Sequence, residues 1–89
     1  MPERSFQVQG RVQGVGFRWW TRAQARRLGV RGSVRNRVDG SVEIRASGSD
    51  AQLADLRRVL SEGPPGASVT SIVEAEVAGI AEPDFVIVP

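Results

Sequence analysis

Residues 5–12 alternate, with Phe6, Val8 and Gly10 on one side and Gln7, Gln9 and Arg11 on the other, which is the two-residue period of a half-buried strand. After a glycine-rich stretch the period changes. Over residues 17–28, Phe17, Trp20, Thr21, Gln24, Ala25 and Leu28 fall within one helical arc, and Arg18, Arg22 and Arg26 share the opposite side. Gly29 follows as a left-handed cap. Alternation returns at Val30, Gly32 and Val34 against Arg31, Ser33 and Arg35. It recurs at Val42, Ile44 and Ala46 against Ser41, Glu43 and Arg45, and the Asp39-Gly40 turn signal lies between the two runs. Ser49-Asp50-Ala51-Gln52 has the form of a capping box and opens a helix with Leu53, Leu56 and Leu60 on one face. Gly63-Pro64-Pro65-Gly66 stops that helix; a longer strand is expected over residues 69–77 and a short one over residues 85–88.

The resulting order is β-α-β-β-α-β with a short extra C-terminal strand. It predicts an α+β ferredoxin-like sandwich, an antiparallel sheet with two helices on one face. No linker, repeat or low-complexity run interrupts it, so residues 1–89 read as one domain.

Composition sharpens the picture mainly by what is missing. The 89 residues include no His, Cys, Tyr or Lys. Imidazole bases, thiol nucleophiles, Schiff bases and His or thiolate metal sites are therefore excluded. What remains is Arg, Asn, carboxylates, hydroxyls and backbone N–H, a set that aligns reactants and stabilises anionic charge. Phosphoryl transfer from an activated donor suits such a set, because its transition state mainly needs positioning and charge stabilisation. Net charge is only +2, but residues 4–37 hold nine Arg and no Asp or Glu. An incoming anion would meet no repelling carboxylate along that stretch. No apolar leader or membrane-spanning run is present, and the cytoplasm is the expected compartment.

The candidate chemistry lies in Gly10-Arg11-Val12-Gln13-Gly14-Val15-Gly16-Phe17-Arg18. Its glycines allow close approach of another molecule, and it opens directly into a helix whose first N–H groups are free to bind an anion. A cation in the first helical turn, as Arg18 is, costs up to about 1 kcal/mol unless an anion compensates it. The stretch lacks the Lys of a P-loop and the third glycine of a dinucleotide fingerprint. A tight turn needing positive φ is its plainer interpretation. Asn36 falls in phase with Val30, Gly32 and Val34, so an amide lies on a face that should be apolar. It could serve the hairpin locally or, with Arg18, form part of one site. Trp20 belongs to the apolar arc; Trp19 reads as an incidental exposed aromatic, with a rim contact to substrate as the alternative.

These residues resemble the acylphosphatase family. The resemblance rests on Gly10 to Arg18, then Ala25, Leu28-Gly29, Gly32, Val34, Asn36 and Asp39-Gly40-Ser41-Val42-Glu43. It continues through Leu53, Leu60, Gly63-Pro64, Val69 and Phe85-Val86-Ile87. It implies hydrolysis of acyl phosphates to carboxylate and inorganic phosphate. The phosphate would be bound by Arg18 and by the backbone of Val12, Gln13, Gly14, Val15, Gly16 and Phe17. Asn36 would hold the attacking water, without covalent intermediate, cofactor or metal. Arg37 and Ser41 stand where the family often has Thr, and Val88-Pro89 replaces its frequent basic or aromatic C-terminal pair. The expected partner is a small-molecule acyl phosphate, not nucleic acid or a membrane, with the chain acting as a monomer. RNA-recognition domains share this element order but stack bases on aromatics of the first and third strands. Here Gln7, Gln9, Ser41, Glu43 and Arg45 occupy those positions. The acylphosphatase-like module of hydrogenase-maturation carbamoyltransferases is related as well.

Overall fold

The computed structural model describes all 89 residues. Its elements are β1 (Glu3–Arg11), α1 (Phe17–Leu28), β2 (Arg31–Asn36), β3 (Val42–Ser47), α2 (Asp50–Glu62), β4 (Ser68–Glu76) and β5 (Phe85–Ile87). The two helices end as their caps dictate. Gly29 adopts the left-handed conformation and returns its N–H to the Ala25 and Arg26 carbonyls. At the start of α2, Ser49 and Gln52 exchange side-chain and backbone hydrogen bonds of 2.8 and 3.1 Å, the reciprocal capping box.

The sheet order is β4-β1-β3-β2-β5. β1 pairs antiparallel with β3 and β4, and β2 antiparallel with β3. β5 pairs parallel with β2, so the sheet is mixed at that edge. Phe6 and Val8 of β1, Val34 of β2 and Val42, Ile44 and Ala46 of β3 meet Phe17 and Ala25 of α1 and Leu53, Leu56 and Leu60 of α2 in one core. Each large aliphatic or aromatic side chain there contributes about 1.5–3 kcal/mol of burial. Trp20 and Leu28 are half-buried against this core, and Gln24 is half-buried too. Gly10, expected on the buried side of β1, is exposed instead. A register shift between Gln9 and Gly10 breaks the alternation before the strand ends.

β4 and β5 lie at opposite edges, so the segment between them must cross the sheet. It does so at the end where β2 begins and β3 finishes. Arg31 Nη1 donates to the Ile80 and Glu82 carbonyls at 3.2 and 3.1 Å, and Arg45 Nη2 to the Ala78 carbonyl at 3.0 Å. An Arg26–Asp84 ion pair of 2.9 Å ties the segment to α1. The end that holds the tips of β1 and β2 is thereby left to the β1–α1, β2–β3 and α2–β4 loops.

Gly32 shows how tightly β2 is inserted. It has φ +144°, and a Cβ there would overlap the Arg45 carbonyl oxygen across the ladder. Gly32→Ala is expected to destabilise the fold by about 2–4 kcal/mol, from backbone strain plus overpacking. Denaturant unfolding with an unchanged midpoint would contradict this.

Candidate active site

Gly14 and Gly16 both have φ +76°, and no heavy atom lies within 4 Å of where a Cβ would stand on either. The left-handed backbone, not crowding, calls for glycine here. Those two residues curl the chain between β1 and α1. None of the main-chain N–H groups of residues 12–19 donates a hydrogen bond within the protein. The contrast with α2 is direct. α2 has a capping box and Asp50 in its first turn, whereas α1 has neither a side-chain cap nor an acidic residue there. Uncapped donors are thereby left at the positive end of the helix dipole, at the start of α1.

Arg18 is half-buried at that spot. It enters no ion pair, although Arg4, Arg26, Arg35, Arg37, Arg57 and Arg58 all do. Arg18, Trp19, Asn36, Val12, Gln13, Gly14, Gly16 and Phe17 line a pocket of about 90 Å³. A single water needs a cavity of about 10–15 Å³, so the pocket has room for a small polyatomic anion. Of the expected phosphate-loop residues, Val15 alone does not line it; its side chain packs against the core.

Asn36 closes the pocket from the tip of β2. Its Oδ1 is buried and has no hydrogen-bond partner. An orphan buried acceptor costs about 1–3 kcal/mol. The amide is therefore not satisfied by the hairpin, the local role that was the alternative. Asn36 also borders a wider concavity of about 260 Å³, lined by Arg35, Arg37, Val38 and Asp39.

The hairpin beyond Asn36 is a three-residue loop, Val38 to Gly40, closed by an Arg37 N–H to Ser41 carbonyl bond of 2.8 Å. Asp39 Oδ1 accepts from the Ser41 hydroxyl at 2.6 Å and from its N–H at 2.9 Å. Gln7 Nε2 reaches Ser41 Oγ and Asp39 Oδ2 at 3.3 and 3.4 Å. The Ser41 bonds, hydroxyl first, hold the Asp39 carboxyl below its ordinary value of 3.8. Ionised Asp39 thus favours the folded hairpin. That contribution is complete above pH 3.8 and drains away as pH falls through the lower folded value.

Gln13 is a feature that sequence reasoning missed. Only its backbone was expected to act, yet its side-chain amide crosses to the hairpin, donating to the Arg37 and Ser41 carbonyls at 2.8 and 2.9 Å. A long amide set among glycines was the available signal. Trp19 is 65% exposed, with the Arg22 guanidinium 5.6 Å from its ring centroid, and it lines the pocket.

Fold and site together define a small ferredoxin-like sandwich with a small polar pocket at one end of its sheet. That pocket is built from main-chain donors, a guanidinium and a carboxamide. The model of the Acylphosphatase family matches residues 4–87, and the chain belongs to that family. It is 51% identical over 79 residues to an acylphosphatase of Actinobacillus succinogenes, covering 89% of this chain and 88% of the relative. It is 53% identical over 78 residues to one of Pasteurella multocida, covering 88% and 87%. The crystal structure of acylphosphatase from Bacillus subtilis superposes with a TM-score of 0.95 at 37% identity, each chain covered in full.

Proposed function

We propose that the chain hydrolyses acyl phosphates at this pocket. The N–H groups of residues 12–17 and the Arg18 fork bind the phosphoryl oxygens, Arg18 through two parallel charge-assisted hydrogen bonds. A water donates a hydrogen bond to Asn36 Oδ1, which leaves its lone pair aimed at phosphorus. Attack forms the new P–O bond as the bond to the acyl oxygen breaks. The carboxylate departs with the electron pair, and a phosphoryl oxygen takes the water's proton. Carboxylates are weak bases, with ordinary values near 4, so the leaving group needs no general acid. The wide concavity beside Asn36 gives water a way in. One chain supplies every group, which supports action as a monomer.

The observation that carries this reading is that Asn36, whose Oδ1 pairs with no protein group, lines the same pocket as loop residues with unspent N–H donors and an Arg18 in no ion pair. The deciding experiment is hydrolysis of benzoyl phosphate against a phosphate monoester control. Turnover of the anhydride alone is expected. No turnover of either, by protein with a cooperative melt, would overturn the reading.

No protein group titrating near neutrality takes part. After correction for the substrate's own ionisation, kcat is expected to be level from about pH 5 to 8. Any enzyme-derived decline belongs to the acid side, where pH falls through the lowered value of Asp39. Chelator should leave the rate unchanged. A protein-derived inflection near pH 7 in the rate profile would mean that another group acts.

A further inference from the structure

We infer that Gln13 is a positioning residue that sets Asn36 against the phosphate pocket; the inference rests on the function proposed above. Both hydrogens of its side-chain amide are used. One goes to the Arg37 carbonyl at 2.8 Å and the other to the Ser41 carbonyl at 2.9 Å. The orientation of that amide follows from its partners. Oε1 in the place of Nε2 would face two carbonyl oxygens with no proton between them.

These are the two residues that close the hairpin, bonded to each other through the Arg37 N–H and the Ser41 carbonyl. Asn36 immediately precedes Arg37, at the last position of β2. No other hydrogen bond joins residues 12–16 to residues 36–41. On its far side the hairpin is held by Gln7 through Asp39 and Ser41, a contact to β1 rather than to the loop. The Gln13 amide therefore sets the spacing between the segment that would hold phosphate and the residue that would hold water.

Asn36 does not set its own position by hydrogen bonding to the protein through Oδ1, because no protein group pairs with that atom. Its placement must come from the backbone it rides on. An error of an ångström in such a placement can cost about 10²-fold in rate. Phosphate binding depends on N–H groups and Arg18, which a change of the Gln13 side chain leaves in place.

The test is Gln13→Met, which keeps the length of the side chain and removes both donors. With benzoyl phosphate, kcat is expected to fall about 10- to 100-fold. KM and the inhibition constant of inorganic phosphate should stay within about twofold. Combined with Asn36→Ala, it should add almost nothing to the loss from Asn36→Ala alone, since both remove the same oriented water. A second variant guards against failure to fold. Gln13→Glu can donate one hydrogen bond when protonated and none when ionised, so its saturated rate should fall as pH rises through the new carboxyl's titration, while the parent stays level.

A parent enzyme inactive on benzoyl phosphate would overturn the proposed function itself. An active parent with an undiminished kcat in Gln13→Met would overturn only the positioning role. So would a loss that multiplies fully with that of Asn36→Ala, or a weakening of phosphate inhibition in step with KM.

Discussion

Replacing Arg18 by Ala should abolish both turnover and phosphate inhibition, with kcat/KM lower by at least about 10³. The pocket has no second cation to take over, because the hairpin's Arg35 and Arg37 are both engaged by Glu43 at 2.8 and 3.2 Å. Lys at this position should recover little. A point charge on a flexible stem cannot reproduce two parallel N–H donors on a tetrahedral anion. The stability readout makes the result hard to mistake for misfolding. Removing a cation from the N-terminal turn of α1 should leave the ligand-free protein unchanged or more stable by up to about 1 kcal/mol. The phosphate-induced rise in melting temperature should vanish, though wild type would gain about 2.7 kcal/mol at a hundred times its Kd. Saturable phosphate inhibition in Arg18→Ala would end the assignment.

For Asn36→Ala the expected result has a different shape. kcat should drop about 10²–10³, as for loss of one preorganised group, while KM and phosphate inhibition change little. Loss in kcat alone reports an interaction made with the attacking water rather than with the bound anion. Stability should not suffer here either. Truncation deletes an acceptor that no protein group pairs and leaves only a small cavity in exchange. Near-normal kcat in this variant would remove Asn36 from the reaction. The two substitutions thus separate anion binding from water positioning.

Much of this was readable because it is local. The capping box at Ser49 and Gln52 and the left-handed Gly29 depend on neighbours within one helical turn, and the helix bounds they imply match those observed. The alternation of Val42, Ile44 and Ala46 marks a strand regardless of what it packs against. Asn36 was visible as a polar residue in phase with apolar ones, and the glycine spacing before Arg18 as a loop able to turn its amides one way.

Other features escaped for a shared reason. The bulge at Gln9 and Gly10 arises from how β4 pairs with β1, and side-chain period cannot report a register shift set by another strand. The parallel docking of β5 on β2 follows from the crossing segment held by Arg31 and Arg45, three hydrogen bonds between residues more than thirty positions apart. Gln13 is the sharpest case. Its glycine neighbours mark the amide as unusual but do not indicate that it will span to the far hairpin rather than face solvent.

From the chain alone one can read which groups are on hand and which are missing: a glycine-curled run of donors, an arginine beginning a helix, an amide out of place, and no imidazole or thiol. That inventory confines the chemistry to binding and orienting anions, since residue identity sets hydrogen-bonding capacity and ionisation. Whether those groups face one another is a matter of distance. Arg18 and Asn36 share a pocket because β2 runs beside the core strands and ends level with the β1–α1 loop. Convergence of that kind is created by packing, which brings together segments that local propensities leave independent.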